Sequence, residues 1–158
     1  MTTSAKASKW GYQTLMQPPG VKLHEWFKLG SVDPGLQSTE AAMLSVKPGE
    51  WEKLVVDYLR SLKEASDSYV TRTLPEWIQG QGAPPREYII TVPAMWSEAA
   101  QEATRGCAAE AFLGDRQRIN EIHIVAEPEA AAIYALTRMP TIDRKEGNTF
   151  VICDAGGG

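Results

Sequence analysis

Cysteine is scarce: Cys107 and Cys153 are the only two among 158 residues, and each stands alone in an apolar setting. That spacing offers no disulfide framework and points to reduced core thiols in a cytoplasmic protein. Long hydrophobic runs are also missing. The longest, Ala130–Leu136, falls far short of the roughly 20 residues a membrane span needs, so a soluble chain with no membrane partner is expected. Basic clusters are absent too. Sixteen basic against twenty acidic side chains leave a net charge of −4, which provides no footprint for DNA or RNA. The first twenty residues carry only Lys6 and Lys9 as charges and no arginine, unlike a transit peptide, and no secretory apolar region follows. The two histidines, His24 and His123, lack partner ligands nearby in sequence, which argues against zinc. Thirteen glycines and ten prolines show no period, excluding a collagen-like chain. What remains is 43% apolar and 23% charged, the composition of one ordinary globular domain.

The pattern is weak over residues 1–47, where Pro18-Pro19-Gly20 and Asp33-Pro34-Gly35 are turn signals around Trp26, Phe27 and Leu29. It sharpens over residues 48–158. Trp51, Leu54, Val55, Tyr58, Leu59, Leu62 and Ala65 form one stripe of an amphipathic helix. Pro48-Gly49 opens that helix, Glu50 and Glu52 suit its positive end, and Pro75 ends it. Tyr88–Val92, rich in β-branched residues and stopped by Pro93, reads as a buried strand. Ser97 caps a second helix that runs to about Leu113 and stops at Gly114, with a small inner face of Ala100, Ala103, Cys107 and Ala111. A strand near Ile119–Val125 leads into a third helix at Pro128, and Thr149–Cys153 reads as a last strand. Alternating helices and strands predict an α/β fold.

In such folds ligands gather beyond the carboxyl ends of the strands. Two acids stand there. Glu127 ends the second strand immediately before Pro128, where it would cap the following helix and could face a cation. Asp154 ends the last strand, just before Gly156, Gly157 and Gly158. Consecutive glycines let backbone N–H groups approach a phosphate, and a neighbouring acid suits Mg²⁺. Each feature also has a plainer reading. Asp-x-Gly-Gly-Gly serves equally as a hairpin turn or a trimmed tail, and Glu127 as a simple helix cap.

Together the segments resemble a known family. Thr91-Val92-Pro93-Ala94, Ala126-Glu127-Pro128-Glu129-Ala130-Ala131-Ala132 and Phe150-Val151-Ile152-Cys153-Asp154-Ala155-Gly156-Gly157-Gly158 are similar to the ATPase domain of the 70-kDa heat-shock chaperones, within the actin-like ATPase superfamily. Trp96-Ser97 after the first motif resembles the divergent fungal branch, and the patches Lys9–Tyr12 and Trp26–Leu29 do so more weakly. The resemblance covers Tyr88–Gly158. It implies a partial actin-like (ribonuclease-H-like) fold over residues 48–158 that crosses from a first lobe into a second at about 141–158. It further implies ATP or ADP with Mg²⁺ as cofactors of the intact family, and nucleotide as partner. Asp154 and Glu127 would serve catalysis and hold Mg²⁺ through water; Gly156, Gly157 and Gly158 would cradle phosphate; Pro93 would couple nucleotide state to a substrate domain.

The chain also departs from the family. Gln101 stands where an arginine normally works with that proline, and no Asp-x-Gly-Thr-Thr loop is present. Gln13, Thr14 and Leu15 offer no lysine beyond Gly11, and no adenosine-binding loop follows. Because phosphoryl transfer needs several loops at once, the isolated chain is expected to be catalytically incompetent. Tyr88–Val92 would expose an open sheet edge, so self-association or pairing with further domain segments is expected. The alternative function is a non-enzymatic interaction remnant acting through that edge or the Trp51 helix. A conjugation tail at Gly156–Gly158 fits poorly with this α/β order.

Overall fold

The computed structural model describes residues 9–16, 18–20, 23–25, 27–28, 50–73, 86–139 and 145–153. A short 3-10 turn, Gly11–Met16, precedes helix α1 (Glu50–Thr73), strand β1 (Tyr88–Val92), helix α2 (Glu98–Leu113), a 3-10 turn (Ile119–Glu121), strand β2 (Ile122–Ala126) and helix α3 (Glu127–Arg138). The architecture is mixed α/β. Strands β1 and β2 pair in parallel, from Tyr88 opposite Ile122 to Val92 opposite Ala126. A parallel pair needs a crossover, which α2 supplies.

Helix α2 is the middle layer, and its small residues explain why. Cys107 and Ala111 pack with Val56 of α1, while Ala108 and Ala109 pack with Ile122 of β2. Side chains this short on two faces let a helix on one side and a sheet on the other approach closely. The ends of α2 are set by local chemistry. The Ser97 hydroxyl accepts from the Ala100 N–H at 3.3 Å, and Gly114 closes the helix in the left-handed region at φ 73°. Gly106 leaves room for the Arg116 side chain, which would lie 3.1 Å from an added Cβ. Arg116 pairs with Glu52 of α1 and, at 3.7 Å, with Glu110 of α2. Arg60 of α1 also reaches Glu110, at 3.1 Å.

Helix α1 follows the expected bounds, but its apolar stripe serves two surfaces. The most deeply buried positions are Val56 and Ser61, both outside that stripe, whereas Tyr58 and Leu62 remain partly exposed. Trp51, Val55 and Leu59 pack against the α2 cluster, while Tyr58 meets the rings of Trp10 and Phe27 edge-on at 5.7 and 5.8 Å.

Four expectations need correction. Residues Ile119–Glu121 form a 3-10 turn closed by the Glu121 N–H on the Arg118 carbonyl, so the strand begins at Ile122. Strand β1 is only half-buried, since Val92 is enclosed while Ile89 is 60% exposed. The α3 N-cap is Ala126, with no side-chain cap, which makes Glu127 the first helical residue and Pro128 the second. Thr149–Cys153 forms no strand among the described residues, and Val151 is 94% exposed. A β-rich segment becomes a strand only beside another strand.

Candidate functional site

The parallel register decides where the site lies. Val92 stands opposite Ala126, so the next residues, Pro93 and Glu127, leave the sheet side by side at its carboxyl end. Each begins a tight feature. Pro93 starts a turn in which its carbonyl accepts from the Trp96 N–H at 3.1 Å. Gln101 fastens that turn: its side-chain Nε2 donates to the Trp96 carbonyl at 3.1 Å. Glu127 occupies the first turn of α3 with Glu129, where the helix dipole favours a carboxylate.

Freed from capping, the Glu127 side chain makes a long-range contact. Its Oε1 accepts from Lys28 Nζ at 2.8 Å. The same ammonium lies 5.7 Å from the Trp96 ring centroid, in cation–π range. The preceding residue, Phe27, enters a cleft of about 250 Å³ with Trp51, Tyr58, Val92 and Trp96. Residues 27 and 28 thus bridge the aromatic cleft and the strand ends. The Trp26–Leu29 patch contains both residues, but no sequence signal links Lys28 to Glu127, 99 positions away.

Pro93 and Glu127 are therefore brought together. Asp154, Gly156, Gly157 and Gly158 lie outside the described residues. Glu127 accepts the Lys28 ammonium at hydrogen-bond distance, so its charge is met within the chain. No group of three His, Cys, Asp or Glu side chains that could hold a metal occurs among the described residues.

Other polar groups have separate roles. A second cleft, of about 490 Å³, lies where β1 begins and includes Lys63, Asp67, Arg86 and Tyr88. There the Lys63 hydrogen bond, with further help from Arg86, holds the Asp67 carboxyl below its usual value. His123 faces outward toward Glu87 at 3.2 Å. Cys107 is fully enclosed, and burial pushes its thiol up to about 11, so it is no nucleophile near neutral pH.

Comparison with known proteins gives similarity to a chaperone. Two strains of Acidithiobacillus ferrooxidans each carry a Chaperone protein HscA homolog 37% identical to this chain over 82 residues. The match takes in 51% of this chain and 11% of each relative. The chain thus matches only a small part of their length. No family model and no solved structure matches. The fungal branch draws no support from these relatives. No described helix is long and apolar enough to cross a membrane.

Proposed function

We propose that this chain carries part of the nucleotide-binding domain of a chaperone ATPase of the 70-kDa heat-shock type, with an actin-like fold. The observation that carries this reading is the placement of Pro93 and Glu127 side by side beyond the carboxyl ends of two parallel strands, the place where α/β sheets bind ligands. Similarity to a chaperone over 82 residues supports it.

In this reading Glu127 orients Mg²⁺ and its waters, and Asp154 with Gly156, Gly157 and Gly158 supplies the phosphate-facing loop. Bound Mg²⁺ would neutralise phosphate charge. Pro93, held by the Trp96 turn, relays the nucleotide state into β1 and α2, and Gln101 braces that turn in place of an arginine. The 158 residues lack an Asp-x-Gly-Thr-Thr loop, so they bind nucleotide without turning it over. Titration calorimetry with Mg-ADP tests this. Binding that Glu127→Gln weakens tenfold or more (about 1.4 kcal/mol) is the expected result, and absence of heat in the native chain refutes the reading.

A second reading rests on the exposed Ile89 of β1 and Val151 beyond α3. Strand formers left in solvent favour pairing with another chain, which would make the protein an interaction module. Oligomers that form without nucleotide, and dissociate in Val151→Lys, would favour it.

A further inference from the structure

Helix α3 is out of keeping with the rest of the fold. It contains the longest apolar run of the chain, Ala130–Leu136, yet none of its residues is buried. A helix that is apolar around most of its circumference belongs inside a structure. Here only one side, with Ala132, Ala135 and Leu136, is half-buried, where the helix meets β1 and β2. On the opposite side Glu129, Ile133, Tyr134, Thr137 and Arg138 are exposed and Ala130 is half-buried. Ile133 is 57% and Tyr134 63% exposed. Spacings of three and four place these six side chains on one face. The Arg138 guanidinium lies 5.5 Å from the Tyr134 ring centroid, so the cation belongs to that face. The face thus has an apolar centre, an acid at its amino end and a base at its carboxyl end.

We infer that this face binds a second copy of the chain, α3 against α3 in antiparallel order about a two-fold axis. The charge pattern chooses that partner. An axis passing between Ile133 and Tyr134 is equally far from Glu129 and Arg138, so each Glu129 carboxylate comes opposite the partner's Arg138. The same axis sets Ile133 opposite the partner's Tyr134, and the contact is apolar at its centre and ionic at both ends. A surface complementary to itself is what two-fold pairing requires. Parallel pairing would bring like charges together at each end, which is unfavourable. Antiparallel helices also lay opposite dipole ends side by side. With 12 residues, α3 is about 18 Å long. Its contact is smaller than that of a permanent dimer, so the pairing is weak and reversible. It lies apart from the strand formers Ile89 and Val151 and needs no nucleotide.

Sedimentation velocity of the full chain, at concentrations rising from roughly 5 to 500 µM, tests the inference. The native chain should pass from monomer to dimer across that range. Glu129→Arg and Arg138→Glu should each weaken the dimer about tenfold, since each turns two attractive pairs into two repulsive ones. Both positions are exposed, so the variants should keep the native far-UV circular dichroism. An equimolar mixture of the two variants should recover the native affinity, because the mixed dimer again sets unlike charges opposite each other at both ends. A native chain that stays monomeric overturns the inference, as does a dimer that both variants retain at native strength. Variants that weaken the dimer and fail to recover on mixing overturn the antiparallel pairing. Loss of the dimer in Val151→Lys, with both α3 variants unaffected, would move the contact to the strand formers.

Discussion

Lys28 and Glu127, separated by 99 positions, meet at 2.8 Å where the two parallel strands end. The contact joins a stretch of weak sequence pattern to the most strongly patterned motif in the chain. Its energetic value as an exposed pair is small, on the order of 0.2–1 kcal/mol. Its consequence is positional, since it places a cation on the carboxylate that the fold sets beyond the sheet.

The middle-layer role of α2 depends on small side chains. Ala108 is fully buried between α1 and the strands, so Ala108→Leu should cost about 1–3 kcal/mol by overpacking. Ala99→Leu, on the exposed face of the same helix, should change stability by less than about 0.5 kcal/mol. Urea unfolding of the two variants measures the contrast.

Ser97 and Gln101 hold the turn that follows Pro93. Removing the cap in Ser97→Ala should destabilise the chain by about 1 kcal/mol. Gln101→Ala should leave global stability nearly unchanged while raising hydrogen exchange at the Trp96 and Ser97 amides, because the Trp96 carbonyl loses its side-chain donor. Exchange rates equal to the native chain would contradict this role.

Much of this arrangement was legible in the sequence. Ser97 and Gly114 mark the ends of α2 by chemistry that acts within a few residues, and both do so in the structure. Tyr88–Val92 announces a strand through β-branched residues, and Glu127-Pro128 announces a helix start. Where tertiary contact decides, sequence reasoning fell short. Val56 lies outside the most regular apolar stripe, yet it is buried because α2 packs over it. Thr149–Cys153 has strand composition without a described partner strand. Lys28 sits in the Trp26–Leu29 patch, but nothing in the sequence pairs it with Glu127, because that partner is chosen by folding.

The two thiols should react very differently. Cys153 is exposed and Cys107 is enclosed, so iodoacetamide near neutral pH should label Cys153 readily and Cys107 only after denaturation, as peptide mass spectrometry would read.

Burial of Cys107 also sets an alkaline limit. Its folded-state value of about 11 exceeds the ordinary 9.0 because burial penalises the thiolate. A raised folded value means that the stabilising contribution is complete below pH 9.0 and is lost as pH rises toward about 11. The stability difference between the native chain and Cys107→Ala should therefore shift across that window.

Acid should act through Asp67. The Lys63 and Arg86 partners depress its folded value below the ordinary 3.8, so its contribution is present above pH 3.8 and fades as pH falls through the lower folded value. Both the site and the effect are largely solvent-screened. Acid melts of Asp67→Asn should show a slightly shallower loss of stability than the native chain.

The most direct measurement is the thermal melt of the chain with and without millimolar Mg-ATP, repeated in Glu127→Gln. A ligand that binds only the folded state raises the midpoint, by an amount equivalent to about 2.7 kcal/mol at 100 times its dissociation constant. A rise in the native chain that disappears in Glu127→Gln is the predicted result. An identical midpoint with and without Mg-ATP would contradict the nucleotide-binding assignment.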